Sequence, residues 1–443
     1  MRDMPGEVVE VLQSLIRNAC VNDGTDDSGH EARSVDVLRA LLEGPGLDLQ
    51  TFAARPDRAN LVARIEGHDR DAPSLLLMGH TDVVPVNADG WTRDPFAAEL
   101  ADGYVWGRGA VDMLNLTASM AVTVRRLASS GFRPRGTLIY LAVADEEALG
   151  AWGAEWLVDH ELDAVRASYV VTESGGNPTR RSSRVKLPVI TAEKGSHWCT
   201  LRIGGTPGHA SQPFRTDNAL VTAAEVVRRL SAYRPQAEIH DTWTRYVRGM
   251  ELDPEREAAL LDPGQIESVL DDLPLGMARV AHACTHTTFA PTVMHAGTKT
   301  NVIPDRVDLQ VDIRTLPGQS AEEVDAMLSD ALGDLAGRVS VVGANHDPST
   351  ASPADTPLWD AMARVADGFY PGAALVPAMT VGATDARFFR RLGIPSYGFG
   401  LFSPAIRYED YALMFHGDDE RVDVESLRLS TEMWEELARD FLG

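Results

Sequence analysis

The sequence predicts an α/β fold in which a mostly parallel sheet, flanked by helices, is interrupted by an inserted α+β domain. Short apolar strands alternate with helices over residues 1–172, which is typical of a parallel sheet. Between about 197 and 342 the order becomes β-α-β-β-α-β, the ferredoxin-like order. The alternation of apolar strands with helices returns after about residue 346. We therefore divide the 443 residues into a larger domain in two parts (1–194 and 346–443) and an inserted domain (195–345).

The first part of the larger domain reads as helices and strands in alternation. Helical periodicity predicts helices at 7–20 and 30–43, and Gly44-Pro45-Gly46 ends the second of them. Alanine, leucine and methionine without proline favour a helix at 113–129, and another helix is predicted near 152–159. Short apolar runs bounded by glycine or acids predict strands at 61–66, 75–79, 137–144 and 168–172. A turn-rich stretch, 85–103, separates the first pair of strands from the third helix.

The inserted domain has two helices and four strands by pattern. The strands are predicted at 197–203, 291–296, 307–314 and 339–342, and the helices at 217–232 and 320–335. The stretch 234–288, which contains proline, acids and tryptophan, is left without assigned elements. The glycines at 204, 205 and 208 lack the spacing of a nucleotide-binding loop, so we reject that reading.

Composition excludes several classes of function. The net charge of −24, from 41 basic and 65 acidic residues, argues against nucleic-acid binding and against docking on anionic membranes. Three widely spaced cysteines (Cys20, Cys199 and Cys284) without a CxxC pair fit a reducing cytosol, and Cys199 reads as a buried structural thiol. There is neither a signal-peptide pattern nor an apolar run of the ~20 residues that span a bilayer. We expect a cytoplasmic protein.

Two predicted strands end in residues that bind metals. The strand 75–79 runs into His80 and Asp82, and the strand 137–144 runs into Glu146 and Glu147. Ligands of open α/β sheets bind beyond the carboxyl ends of the strands, so these groups are expected to meet. Asp82 can hold the second ring nitrogen of His80, and one glutamate can bind metal while the other takes a proton from water. A surface histidine and a solvated acidic loop are the simpler alternatives.

Three further residues extend the set. Asp112 follows two closely spaced glycines and precedes a helix, so it is either an N-cap or a ligand. Glu173 ends the strand 168–172, and His416 lies far downstream. Two histidines, one aspartate and two glutamates exceed what one open zinc ion needs, so a two-metal site with a bridging carboxylate fits better, the ions being ~3.5–4 Å apart. Mixed nitrogen and oxygen ligands suit zinc, cobalt or manganese.

The motifs together resemble the di-zinc peptidases and amidohydrolases of the aminoacylase, acetylornithine deacetylase, succinyl-diaminopimelate desuccinylase and glutamate carboxypeptidase family. The matching segments occur in family order at 79–85, 107–113, 145–147, 208–210, 300–304, 312–318, 382–387 and 416–417. The resemblance implies a zinc-peptidase-like catalytic domain and a lid or dimerisation domain at the insertion, hence a homodimer through that domain.

The resemblance also implies roles for single residues. His80, Asp112 and Glu173 would hold one metal ion, and Asp112, Glu147 and His416 the other, most simply two Zn²⁺, with Co²⁺ or Mn²⁺ as alternatives. Glu146 would be the general base, Asp82 would orient His80, and His209 would stabilise the oxyanion, in dimeric relatives from the partner subunit. Asn301 and Arg314 would contact substrate, and Thr384 and Asp385 would form a binding loop. A cis peptide bond is implied at Asp112–Met113.

These roles predict a metal-dependent hydrolase of an amide or peptide bond. In relatives a glutamate at the position of Glu173 goes with N-acyl-amino-acid deacylases and carboxypeptidases, which favours a small substrate with a free carboxylate. A di-zinc aminopeptidase or dipeptidase is the alternative. A catalytically silent homologue would lack a ligand or the base, whereas all are present. Leu114 and Asn115 replace the lysine and glycine common in relatives, and the long stretch 234–288 leaves open which subunit supplies His209.

Overall fold

The first part of the chain alternates helices with strands, as the sequence predicts. The computed structural model describes residues 4–180 and 184–443. The helices of this part are α1 (Met4–Asn18), α2 (Ala32–Leu42), α3 (Leu114–Ser129), α4 (Ala154–His160) and α5 (Leu162–Val165). The strands are β1 (Asp48–Arg55), β2 (Arg58–Ile65), β3 (Leu75–His80), β4 (Glu99–Ala101), β5 (Tyr104–Trp106), β6 (Leu138–Val143), β7 (Tyr169–Thr172), β8 (Thr179–Arg180) and β9 (Val185–Glu193).

The middle of the chain contains a β-α-β-β-α-β core and four additional helices. Its strands are β10 (Gly195–Gly204), β11 (Gly208–His209), β12 (Thr288–Ala296), β13 (Val302–Ile303), β14 (Arg306–Thr315) and β15 (Val339–Asp347). Its helices are α6 (Ala219–Ala232), α7 (Asp241–Gly249), α8 (Pro254–Leu260), α9 (Ile266–Asp271), α10 (Leu275–Thr285) and α11 (Ala321–Leu332).

The last part of the chain returns to the first architecture. Its strands are β16 (Thr350–Ala351), β17 (Ala374–Thr380), β18 (Ser396–Gly398) and β19 (Arg421–Asp423). Its helices are α12 (Pro357–Phe369), α13 (Ala386–Arg391), α14 (Tyr408–Met414) and α15 (Val424–Leu442). Short 3₁₀ turns occupy Ala88–Gly90, Glu146–Ala148 and Gly333–Arg338.

The large sheet is parallel at its centre and antiparallel towards its edges. Its main path runs β1-β2-β6-β3-β7-β18-β9-β16, and β8 and β17 also pair with β9. The four strands β6, β3, β7 and β18 are parallel to their neighbours within that group. The contacts β1/β2, β2/β6 and β18/β9 are antiparallel. The α/β fold with helices on both faces is thus confirmed, and the sheet as a whole is mixed.

Burial on both faces explains why the central strands read as continuous apolar runs. All residues of β3 and β6 are buried. Leu75 and Leu77 enter the core formed with α1, α3 and α15, whereas Leu76 and Met78 enter the core formed with α4 and α13. Successive side chains of a strand point to opposite faces, so two cores require apolar residues at every position.

The four-stranded sheet carries the predicted ferredoxin-like order. Its strands lie in the order β12-β14-β10-β15, and every pairing is antiparallel. Helices α6 and α11 cover one face, where buried residues such as Leu201, Val226 and Leu328 form its core. The two edge strands are β12 and β15.

The stretch 234–288 is helical and packs on the large sheet. Helix α7 lies against β9 and β17. Trp243 and Val247 of α7 share a core with Ala192 of β9 and Met379 of β17. This segment therefore interrupts the ferredoxin-like order in sequence but contributes to the neighbouring core. Among the described residues, no helix is both long and apolar enough to cross a membrane.

Candidate metal centre

Three strand ends converge because their strands are adjacent and parallel. Strand β3, which ends at His80, lies between β6 and β7. Glu146 and Glu147 follow the end of β6, and Glu173 follows the end of β7. The carboxyl ends of parallel strands share one edge of a sheet, so the three segments deliver their polar side chains to one place.

A small antiparallel sheet brings in the remaining two predicted ligands. Strand β19 pairs with β5, with Arg421 opposite Trp106. The loop before β19 carries His416, and the loop after β5 carries Asp112. Asp112 thus reaches the site at the N-terminal end of α3, and its peptide bond to Met113 is cis, as the resemblance implies.

The five predicted ligands are grouped around Asp112. One carboxylate oxygen of Asp112 lies 3.4 Å from His80 Nε2, and the other lies 3.3 Å from His416 Nε2. Glu173 Oε2 lies 4.0 Å from His80 Nε2, and Glu147 Oε2 lies 3.2 Å from His416 Nε2. Asp112 therefore stands between two histidines, each with its own glutamate.

Glu146 belongs to the same cluster. Its Oε2 lies 4.0 Å from His80 Nε2. The donor atoms of His80, Glu146 and Glu173 lie within 4.8 Å of one another, and so do those of His80, Asp112 and Glu147. Either triple is compact enough for one ion.

The electrostatics of the cluster fit bound cations. Burial, and then the neighbouring Glu173, raises the pKa of Glu146 well above its ordinary value. Burial, followed by repulsion from Asp112, likewise raises the pKa of Glu147. Hydrogen bonds to Asp112 and Glu147 raise the pKa of His416 to about 10. Carboxylates packed this closely need positive charge, which bound cations would supply.

One buried oxygen atom of Glu147 also indicates that the cluster binds cations. Glu147 Oε1 forms no hydrogen bond among the described residues, although it is buried. A buried carboxylate oxygen without a partner is costly unless a cation faces it. The donor set of imidazole nitrogens and carboxylate oxygens, together with this unpaired oxygen, fits divalent metal ions such as zinc.

Asp82 holds both His80 and the glutamate loop. The Nδ1 atom of His80 hydrogen-bonds the backbone carbonyl of Asp82 at 3.0 Å, while the Asp82 carboxylate lies 3.6 Å away. That carboxylate accepts the backbone N–H groups of Glu146 (3.3 Å) and Glu147 (3.1 Å). Asp82 is predicted to orient His80 through its carboxylate, but it contacts His80 mainly through its backbone carbonyl.

Glu420, which the sequence interpretation missed, clamps the Asp112 loop. Its side chain is fully buried and accepts hydrogen bonds from the backbone N–H groups of Gly109, Val111 and Asp112 and from the guanidinium of Arg108. Glu420 lies four residues after His416. One carboxylate therefore ties together the loops that carry Asp112 and His416. The sequence offered no signal for this role, because Glu420 follows two other acids, Asp418 and Asp419, in an ordinary charged run.

A second buried network, also missed, holds the segment before Glu146. Arg58 pairs with Glu31 at 2.7 Å and with Asp145 at 2.5 Å. Asn22 donates to both Asp145 (3.0 Å) and Asp82 (2.8 Å). Asp145 adopts a left-handed conformation with φ 69°. These contacts fix the turn that presents the two glutamates.

The residues predicted on the inserted domain are not joined to the cluster. His209 and Asn301 are exposed, and Ser211 Oγ lies 2.7 Å from His209 Nδ1. Arg314 forms a two-pronged pair with Asp312 at 2.8 and 3.2 Å. No hydrogen bond or ion pair within residues 4–180 and 184–443 links these three residues to the predicted metal ligands.

The two residues of the predicted binding loop, Thr384 and Asp385, lie in different environments. The backbone N–H and hydroxyl of Thr384 both donate to Glu193 at 2.8 Å, so its polar groups are occupied. Asp385 is buried, and neither of its carboxylate oxygens forms a hydrogen bond among the described residues. Burial raises its pKa to about 7, and its charge acts on Glu146 and Glu173. Asp385 therefore lies close to the cluster.

Comparison with known proteins identifies the family. The family model described as peptidase family M20/M25/M40 matches residues 76–440. The chain belongs to this family. The match spans the strand ends, both clamped loops and the segment 234–288, so it includes every predicted metal ligand. Family membership makes the chain a hydrolase of amide or peptide bonds.

Individual relatives in the M20/M25/M40 family are distant. Human aminoacylase-1 is 29% identical over 382 residues, covering 85% of this chain and 82% of the relative. The N-fatty-acyl-amino acid synthase/hydrolase PM20D1 of Xenopus tropicalis is 27% identical over 391 residues, covering 85% and 74%. The crystal structure of the metallo-carboxypeptidase Sso-CP2 from Sulfolobus solfataricus has a TM-score of 0.74 at 16% identity, covering 100% and 99%. That structure supports the fold.

Proposed function

We propose that the protein hydrolyses the amide bond of an N-acyl amino acid, or of a short peptide, that has a free α-carboxylate. Two divalent metal ions and the general base Glu146 would perform the reaction. The observation that carries this proposal is the position of Asp112, whose two oxygens face two different histidines at 3.4 and 3.3 Å. A single-ion site would not need a carboxylate in that position.

The proposed ligands form two overlapping sets. His80, Asp112 and Glu173 would hold one ion, and Asp112, Glu147 and His416 the other. Zinc suits these donors best, with cobalt or manganese as alternatives. When bound, such ions polarise the scissile carbonyl and make a water molecule nucleophilic near neutral pH.

Glu146 would move the proton. Its backbone N–H is fixed by the Asp82 carboxylate, and its own carboxylate reaches the cluster from the side of His80. No hydrogen bond occupies its side chain among the described residues. Glu146 is therefore available to accept a proton from the attacking water and to deliver it to the leaving amine nitrogen.

Recognition of the substrate carboxylate would come from the inserted domain. Arg314 is now held by Asp312 and stacks over Trp198 at 5.4 Å, so it would exchange one carboxylate partner for another when substrate binds. A guanidinium fork matches a carboxylate with two hydrogen bonds. His209 would stabilise the oxyanion, and Asn301 would contact substrate, with residues 195–345 acting as a lid.

We also propose a homodimer through the inserted domain. Both edge strands of its sheet, β12 and β15, expose apolar side chains, namely Val293 and Met294 on one and Val341 and Val342 on the other. Open edge strands are ready to pair with another chain. Light scattering of the purified protein tests for twice the chain mass.

Three buried thiols without disulfides fit the proposed cytoplasmic location.

A substrate panel tests the proposed activity. The enzyme, stripped with a chelator and then reloaded with zinc, is offered N-acetyl amino acids, the same compounds with an amidated carboxylate, and free dipeptides. We expect turnover of the N-acetyl amino acids, little with the amidated compounds, and none before reloading. Preference for dipeptides with a free amino terminus would instead support the aminopeptidase or dipeptidase alternative and contradict the deacylase proposal.

A further inference from the structure

A second group of metal-type side chains lies outside the catalytic cluster, in the segment 234–288. The ligand atoms of Glu267, His282 and His286 lie within 4.8 Å of one another. His282 is in the last turn of α10, His286 directly follows that helix, and Glu267 is on the neighbouring α9. We propose that these three residues form an additional binding site for a divalent cation of the zinc class, which fastens α9 to α10.

The hydrogen bonds of His286 prepare its outer nitrogen for a cation. Its Nδ1 lies 3.0 Å from the carbonyl oxygen of His282 and 3.0 Å from the hydroxyl of Thr285. The Thr285 hydroxyl itself donates to the carbonyl of Ala281 at 2.8 Å, so both neighbours of Nδ1 act as acceptors. Nδ1 therefore carries a proton, which is the usual arrangement for a histidine that binds metal through Nε2.

The contact with Glu267 then requires a positive charge. In the neutral ring, His286 Nε2 presents a lone pair, and it faces Glu267 Oε1 at 3.0 Å. Two acceptors at this distance are held together only by a proton or a metal ion between them. Donor atoms around a tetrahedral zinc ion lie about 3.3 Å apart, given metal–ligand distances of about 2.0–2.1 Å. The observed separation is close to that value.

His282 favours the metal over the proton. Its ring stacks on that of His286 with centroids 4.2 Å apart and planes 4° apart. No hydrogen bond to the His282 ring is formed within the described part of the chain. A proton shared by His286 and Glu267 leaves the ring nitrogen of His282 without a partner, whereas a metal ion would be bound by that nitrogen as well. Two histidines and one glutamate are a common three-ligand set for zinc, with a fourth position left for water.

The surroundings predict a weaker site than the catalytic one. The buried Lys194 donates to the carbonyls of Ala283 (2.8 Å) and His286 (2.6 Å), so a basic side chain lies on the same turn. Glu267 is exposed, which gives an ion a path from solvent. An ion bound here would stabilise a helix that packs beside β9 and β17, close to the start of the inserted sheet.

Metal counting on the full-length protein tests this proposal. Wild-type, His282→Asn and Glu267→Gln proteins are dialysed against graded concentrations of buffered free zinc, and bound zinc per chain is measured by mass spectrometry. His295→Asn is the matched control, because His295 is an exposed histidine on β12. We expect each of the two cluster variants to bind one ion fewer than wild type at saturation, and the control to bind the same number as wild type.

An unchanged count in both cluster variants would overturn the proposal and leave the group as an ion pair. Glu267→Gln alters an exposed side chain, so it keeps the test valid if His282→Asn does not fold. The thermal midpoint provides a second readout: zinc should continue to raise it in wild type after activity is saturated, but not in the two variants. The total number of ions in the control tests the two-ion catalytic centre separately.

Discussion

Replacing Glu420 by glutamine should loosen the two loops that carry Asp112 and His416. In the native protein, Oε1 of Glu420 accepts the N–H groups of Val111 (2.5 Å) and Asp112 (2.9 Å). Its Oε2 accepts the Arg108 guanidinium (2.9 Å) and the N–H of Gly109 (3.0 Å). Glutamine retains only one acceptor oxygen, so its amide nitrogen must face two donors.

The expected size of the effect follows from these contacts. Arg108 and Glu420 are both buried, and removing one partner of a buried ion pair costs about 3–5 kcal/mol. The free energy of unfolding of the metal-free protein should fall by that amount. Because Glu420 supports a proposed metal ligand from behind, affinity for the ion proposed to be held by Asp112, Glu147 and His416 should fall about 10–100-fold.

Urea unfolding of the metal-free protein measures the first quantity, and competition with a chromogenic chelator measures the second. Glu425→Gln is the matched control, since its carboxylate is half exposed and forms a surface pair with Arg428. That change should cost less than about 1 kcal/mol. If Glu420→Gln unfolds like the control and binds both ions as tightly as wild type, the clamp is refuted.

Three other substitutions give distinct outcomes. Burial raises the pKa of the Cys199 thiol from 9.0 to about 11. The thiol therefore ionises first in the unfolded chain, and the free energy of unfolding falls between pH 9 and 11. In Cys199→Ala, urea unfolding should show this fall reduced by up to about 3 kcal/mol. Arg314→Ala should raise KM for N-acetyl amino acids about 10–100-fold through loss of a charged hydrogen bond, with amidated substrates as the insensitive comparison. Thr384→Val should lower the free energy of unfolding by about 1–3 kcal/mol, because it leaves the buried Glu193 without one donor.

The strands that carry the predicted ligands could be identified from the sequence because their signal is local. A strand buried on both faces is apolar at every position, so β3 and β6 stand out, and the polar residue that follows marks the strand end. The β-α-β-β-α-β order was equally readable from periodicity. Strand β9 was missed because Pro188 interrupts its pattern. The helices between 234 and 288 were missed because each of them buries only a few residues, which gives a weak periodic pattern.

The supporting contacts could not be predicted because they join distant segments. Glu420 binds a backbone loop about three hundred residues earlier in the chain, and nothing in its neighbours distinguishes it from Asp418 or Asp419. The Asn22 and Arg58 network depends in the same way on tertiary structure. The position of His209 relative to the predicted ligands depends on tertiary structure and, if the proposed dimer forms, on a second chain, neither of which a linear pattern encodes.

The division of labour between Glu146 and Glu147 is the central claim, and a single paired measurement tests it most directly. Turnover of an N-acetyl amino acid and bound metal per chain are determined for Glu146→Gln and Glu147→Gln. We expect Glu146→Gln to retain both ions while kcat falls about 10²–10⁴-fold, the contribution of a general base. Glu147→Gln should lose metal. Near-normal kcat in Glu146→Gln with both ions bound would contradict the account.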